Sequence, residues 1–174
     1  MNQNYKEIID ANGGVLALNL GCGDMILPGY INCDKYNEAA EVMCDVAELP
    51  FDSDSVDAIY ASHIIEHFDF KEAFAVLEEW KRVLKEGGIL SIETPDLLGT
   101  CAAFVNATEE NQRVELYGQL FATPWIDGQV HKFLYTESQL HSTLEWLGFK
   151  DMKRIPALRY VGAEHINLRM ECVK

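Results

Sequence analysis

Short apolar runs alternate with polar, turn-forming stretches along the first third of the chain. VLALNL (Val15 to Leu20) has the length of a strand and stops at Gly21-Cys22-Gly23, which predicts a buried strand entering a tight loop. YINCD ends at Asp34, AEVMCD ends at Asp45, and VDAIYAS (Val56 to Ser62) follows the turn-rich FDSDS. These read as further short strands. Each leads into a polar or acidic group at its C-terminal end, which is where open parallel sheets place ligand contacts.

The period then changes. In DFKEAFAVLEEWKRVLKEGG, Asp69 can cap a helix with Glu72 as its reciprocal partner, and Ala73, Leu77, Trp80 and Leu84 recur along one face before Gly87 and Gly88. That predicts an amphipathic helix ended by the glycine pair. ILSIETP follows as a strand. The stretch from Asp96 to Gln129 is less regular, with one helix, EENQRVELYGQLF, and a loop, ATPWIDGQ. TESQLHSTLEWLG carries a Thr136/Gln139 capping box and a terminal Gly148, so a further helix is predicted there. FKDMKRI and the alternating HINLRMECV close the chain as two strands joined by PALRYVGAE, with the last strand antiparallel at or near a sheet edge. Strands interleaved with helices in this order predict an α/β sheet.

Composition narrows the function. The 174 residues, 48% hydrophobic and 24% charged, suit one compact domain over residues 1–174. No apolar run approaches the roughly 20 residues of a membrane span, and MNQNYKEIID does not read as a signal peptide. The expected location is therefore the cytoplasm. Five cysteines without a C-x-x-C pair suggest reduced thiols rather than a disulfide framework or a cysteine zinc site. The net charge of −14 disfavours nucleic acid and anionic lipid as partners.

LNLGCGD, NCD, CDVAELPFDSDSVDAIYASHIIEHF and EWKRVLKEGGILSIETPD, in this order and spacing, resemble the class I S-adenosylmethionine-dependent methyltransferases. The likeness runs from about Val15 to the C-terminus. Within the class the chain is most similar to small enzymes such as the ubiquinone and menaquinone methyltransferases and to predicted ones of bacterial glycan assembly. The resemblance implies a Rossmann-like three-layer sandwich with a mostly parallel seven-stranded sheet and an antiparallel C-terminal strand. It implies S-adenosylmethionine as cofactor, S-adenosylhomocysteine as product, and a small-molecule or sugar-containing acceptor. DMILPGYIN, with Pro28 and Gly29, must cross between the first two strands almost without helix, so a truncated first crossover is expected.

The resemblance places Asn19, Leu20, Gly21, Cys22, Gly23 and Asp24 at the donor's methionine portion and Asp34 with Lys35 at the ribose. It places Asp45, Val46 and Ala47 at the adenine and Ser62 and His63 at the reactive side. Glycines without Cβ let the backbone approach a ligand closely, and a carboxylate can accept two ribose hydroxyls. Asn19 stands where the family commonly has an acid, so Asp24→Ala is expected to weaken donor binding and Asn19→Asp to be tolerated.

SHIIEHF also spells H-x-x-E-H, the inverted zinc-peptidase pattern. That chemistry needs His63 and His67 on one helix and a third ligand, whereas the preceding strand puts His63 at a strand end. No metal is therefore expected. Similarity to the Glu-His pair of small methyltransferases instead makes Glu66 and His67 catalytic candidates, with His67 as base where the acceptor must lose a proton. His131 is a second candidate, with Trp125, Phe133 and Tyr135 as pocket walls, while His141 and His165 read as structural. Two rivals stand beside this reading. One is a non-catalytic cofactor- or partner-binding protein of the same fold. The other is a nucleotide-sugar or nicotinamide oxidoreductase, opposed by the missing third glycine.

Overall fold

A computed structural model describes residues 3–122, 129–160 and 162–174. Its strands are β1 (Ala17–Leu20), β2 (Ile31–Asp34), β3 (Val42–Met43), β4 (Val56–Ser62), β5 (Leu84–Pro95), β6 (Lys150–Ile155) and β7 (Asn167–Val173). They form a seven-stranded sheet in the order β3-β2-β1-β4-β5-β7-β6. β7 runs antiparallel to both β5 and β6 and lies one strand in from the edge. The Rossmann-like layout expected from the sequence is thus present.

Five helices accompany the sheet among the described residues: α1 (Gln3–Ala11), α2 (Phe70–Val83), α3 (Leu97–Asn106), α4 (Glu110–Phe121) and α5 (Glu137–Trp146). α2 begins as its capping box requires. Asp69 accepts from the backbone of Lys71 and Glu72, and Glu72 answers at the Asp69 amide. Its end differs from expectation, because it stops at Val83 rather than at the glycine pair. Leu84 is already extended and pairs with Val56, so burial on the sheet overrides helix propensity three residues early. The third strand is also shorter than expected and ends at Met43, two residues before Asp45. α1 and α3 lie where no helix was expected; α3 is capped by the Asp96 side chain.

The two sheet faces differ in chemistry. On one, Leu18 aligns with Ile31 and Ile59, and Ile92 aligns with Met170. These residues join Trp80 of α2 and Leu140 and Leu144 of α5 in one buried apolar cluster. On the other, Asn19 aligns with Asn32 and Tyr60, and Glu93 aligns with Ser62 and Arg169. The segment between β6 and β7 ties onto this second face. Glu93, fully buried, accepts the Tyr60 hydroxyl at 3.0 Å and the backbone N–H groups of Leu158, Arg159 and Tyr160 at 2.8, 3.3 and 3.3 Å. Four donors around one carboxylate satisfy a group that would otherwise be costly to bury.

Residues 21–30 contain no helix, so the first crossover is truncated as anticipated. All five cysteines are free. Among the described residues, no helix is long and apolar enough to cross a membrane.

Candidate active site

The C-terminal ends of β1, β2 and β4 meet at one rim of the sheet. At the end of β1 the chain turns through Gly21 and Gly23, both at positive φ (60° and 50°). The two glycines are needed for different reasons. A Cβ on Gly21 would lie 2.0 Å from the Ile64 Cδ1 atom, whereas one on Gly23 would meet nothing within 4 Å. Gly21 therefore lets the loop pack under the β4 exit, and Gly23 leaves an open face.

Asp34 pins this loop to the end of β2. One carboxylate oxygen accepts from Gly23 N–H at 2.9 Å, and the other accepts from the amides of Tyr36 and Asn37 at 2.7 and 2.9 Å. Asn37 also donates to the Gly23 carbonyl. Lys35 and Asp45 form an ion pair at 2.9 Å across the ends of β2 and β3. The Ala47 amide, with Lys35, holds the Asp45 carboxyl below its ordinary value. Val46 is turned inward and its carbonyl accepts from Trp80 Nε1 at 2.9 Å, while Ala47 is exposed.

Asn19 is only 2% exposed and its amide donates to the Met25 carbonyl and to Asn32 Oδ1, at 2.7 and 2.8 Å. This corrects the expectation that Asn19→Asp is tolerated: a carboxylate would lose both donors and face two oxygens. Asp24 is exposed and paired with Arg159 at 2.6 Å, which links the glycine loop to the segment between β6 and β7.

At the end of β4 the Ser62 hydroxyl is buried without a hydrogen-bond partner, and His63 takes a positive φ of 55°. A single 3₁₀ turn, Ile65–His67, follows. His63 lies outside that turn, so the two histidines of the H-x-x-E-H spelling do not share a helix. Instead Glu66 and His67 meet His131. The Glu66 carbonyl accepts the amides of Lys132 and Phe133 at 2.8 and 3.2 Å, which brings a segment some 64 residues away against the turn.

The resulting cluster is compact. Glu66 is fully buried; one carboxylate oxygen accepts from Thr94 Oγ1 at 3.1 Å, and the other lies 3.1 Å from His63 Nδ1 and 3.9 Å from His131 Nε2. The His67 and His131 rings meet edge-on, 5.0 Å between centroids. Burial alone would raise the Glu66 carboxyl; the imidazoles of His63, His67 and His131 outweigh it and hold it below its ordinary value. Burial lowers His131, with Glu66 opposing, so its imidazole favours the neutral form.

A sheet of this order with ligand-ready loops at its C-terminal rim has many counterparts. Residues 26–92 match the family model described as a methyltransferase domain. That stretch runs from the first crossover into β5, and over it the chain resembles a methyltransferase domain. A comparison with curated proteins finds no match. Among solved structures, the methyltransferase fold is similar to that of an S-adenosylmethionine-dependent methyltransferase from Archaeoglobus fulgidus. The TM-score is 0.60 at 17% identity, covering 98% of this chain and 91% of that one. A second such enzyme, from Thermotoga maritima, gives 0.63 at 14% identity, covering 98% and 95%. A third is 1,6-didemethyltoxoflavin-N1-methyltransferase of Burkholderia thailandensis, solved with its acceptor and S-adenosylhomocysteine. It gives 0.60 at 18% identity, covering 99% and 77%.

The rim thus gathers Asn19 to Asp24, Asp34, Lys35, Asp45 and Ser62, with Glu66, His67 and His131 beside the β4 exit. Phe133 and Tyr135 lie edge-on at 4.9 Å below the cluster, and Trp125 lies outside the described residues. Sequence reasoning missed Thr94, Asn167 and Ile64. Thr94 carried a usable signal, because it stands near the C-terminal end of a predicted strand. Asn167, which holds His63 Nε2 through its Oδ1 at 3.0 Å, carried none.

Proposed function

We propose that this protein is an S-adenosylmethionine-dependent methyltransferase that moves the donor's methyl group to a small-molecule or sugar-containing acceptor docked at Glu66, His67 and His131. The observation that carries the proposal is the juxtaposition at one rim. Gly23, Asp34 and Asp45 stand at the ends of the neighbouring strands β1, β2 and β3, and the imidazole cluster follows β4 on the other side of β1. Asp34 keeps lone pairs for ribose hydroxyls beyond its three amide contacts. Transfer is a displacement in which the carbon–sulfur bond breaks as the acceptor bond forms, so alignment supplies much of the acceleration. His67, half-buried, is placed to take a proton from a hydroxyl or amine acceptor. The small-molecule class is supported by the heterocyclic acceptor in the Burkholderia enzyme.

Titration calorimetry with S-adenosylmethionine and S-adenosylhomocysteine tests the donor half. Micromolar binding is expected, weakened about 10-fold to 100-fold in Asp34→Ala, which removes a charged acceptor. Unchanged affinity in that variant would sink the assignment of Asp34. The burial of Asn19 within its own amide network favours one second reading, a donor-binding protein without turnover. Formation of S-adenosylhomocysteine with any acceptor eliminates it.

A further inference from the structure

Glu66, His67 and His131 do more than crowd together. One ligand-type atom from each lies within 4.8 Å of the other two. The orientation of both imidazoles is fixed from behind. His67 Nδ1 lies 3.2 Å from the Val130 carbonyl, and His131 Nδ1 lies 3.0 Å from the Gln119 carbonyl. A carbonyl can only accept, so each Nδ1 carries the proton and each Nε2 is left with a free lone pair. That back-side arrangement is the one metal-bound histidines adopt, with the second ring nitrogen donating to a carbonyl or carboxylate.

Glu66 is arranged in the same sense. Thr94 holds one carboxylate oxygen, while the other is buried with His63 Nδ1 at 3.1 Å and His131 Nε2 at 3.9 Å. A buried carboxylate oxygen with one imidazole beside it still has lone-pair capacity for a cation. His63 stands beside it, but its second nitrogen is engaged by Asn167, so it supports the carboxylate rather than joining the set. The bulk of the cluster is backed by main-chain contacts, with Ala122 bridging Val130 and Glu66 accepting two amides.

We propose that Glu66, His67 and His131 bind a divalent first-row transition-metal ion of the zinc type. Two imidazole nitrogens and one carboxylate oxygen suit such an ion, whereas magnesium and calcium favour all-oxygen shells. Three protein ligands leave a coordination position open, as in catalytic rather than structural sites. Metal–ligand bonds of about 2.0–2.2 Å require the three atoms to draw closer than the 4.8 Å within which they stand.

The site stands on its own geometry; only its use in catalysis rests on the function proposed above. An acceptor hydroxyl bound at the open position would lose its proton to solvent more readily. Its oxygen would then attack the methyl carbon as the carbon–sulfur electron pair passes to sulfur, releasing S-adenosylhomocysteine. His67 would serve as ligand rather than base in that form.

The test uses the full chain stripped by a chelator and titrated with Zn²⁺ in equilibrium dialysis, against Mg²⁺ as competitor. Saturable equimolar zinc binding is expected, undisturbed by Mg²⁺ and weakened more than about 10-fold in His67→Ala and in His131→Ala. His141→Ala, remote from the cluster, should bind as the parent does. No saturable zinc binding, or unchanged affinity in both variants with a native thermal melt, overturns the proposal. Glu66→Gln is the sharper probe but is fully buried; should it fail to fold, the half-buried His67→Ala decides. Donor calorimetry on the zinc-free protein separates the two ideas. Donor binding without any zinc site defeats this inference alone, and a zinc site without donor binding supports it while defeating the methyltransferase reading.

Discussion

The two faces of the sheet solve the same burial problem by opposite means. Under α2 and α5 the central strands present mainly apolar side chains, and Trp80, Leu77, Leu140 and Leu144 are fully buried against them. Across the sheet, Tyr60, Ser91, Glu93 and Arg169 form a polar layer. Arg169 donates from Nε to Ser91 Oγ at 2.9 Å and its guanidinium stands 5.3 Å from the Tyr60 ring centroid. The first face is held by non-directional burial, the second by directional bonds from loop backbone. Tolerance should differ accordingly: the apolar face responds to lost volume, the polar face to a single lost acceptor.

The largest effect is expected on the apolar face. Trp80→Ala removes a fully buried ring and its bond to the Val46 carbonyl, and should cost about 3–5 kcal/mol in chemical denaturation. Glu93→Ala breaks the polar face by leaving three amides and a hydroxyl without their acceptor, and about 2–3 kcal/mol should be lost. Glu93→Gln keeps an acceptor oxygen and should cost less. A loss within about 0.5 kcal/mol for Glu93→Ala would mean that the polar layer is ordinary surface.

Where the faces meet at the rim, Gly21→Ala should destabilise by about 1–3 kcal/mol through overpacking. Ile64→Ala in the same chain should restore part of that loss, and a double-mutant cycle reads the coupling. The smallest effect is electrostatic. Burial holds His131 below its ordinary value, so as pH falls through about 6.5 the unfolded chain takes up that proton before the folded one does. The contribution is present above that pH and is lost below it. Between pH 7.5 and 5.5 the stability read by chemical denaturation should fall more in the parent than in His131→Asn.

Legibility followed the same division. α2 could be read from its capping box and its repeating apolar face, and β4 was found residue for residue, because burial on a helix or strand imposes a period on the sequence. α3 could not: LLGTCAAFVN is apolar nearly all round yet has Leu98 and Val105 exposed, so no face stands out. The polar layer also left no trace, since Glu93 and Arg169 are far apart in the chain and each looks like a solvated residue. At the site, the sequence singled out Glu66, His67 and His131, and the structure brings the three together. What could not be read was which partners met: Glu66 touches both His63 and the distant His131, and the approach of His131 depends on two backbone amides reaching the Glu66 carbonyl. Asp34 was legible as an acid at a strand end, but its three amide contacts arise from a loop whose path no side-chain pattern encodes.

The contact between Gly21 and Ile64 gives the rim a mechanical property. Ile64 sits between His63 and the turn that carries Glu66 and His67, and its side chain occupies the volume that any larger residue at Gly21 would need. The glycine loop proposed for the donor and the turn proposed for the acceptor therefore pack closely at Gly21 and Ile64. Displacement of either loop on ligand entry would be transmitted to the other as a push rather than through charge. Filling of the donor side would set the tilt of Glu66 and His67, and order of binding would be a mechanical outcome of one missing methyl group.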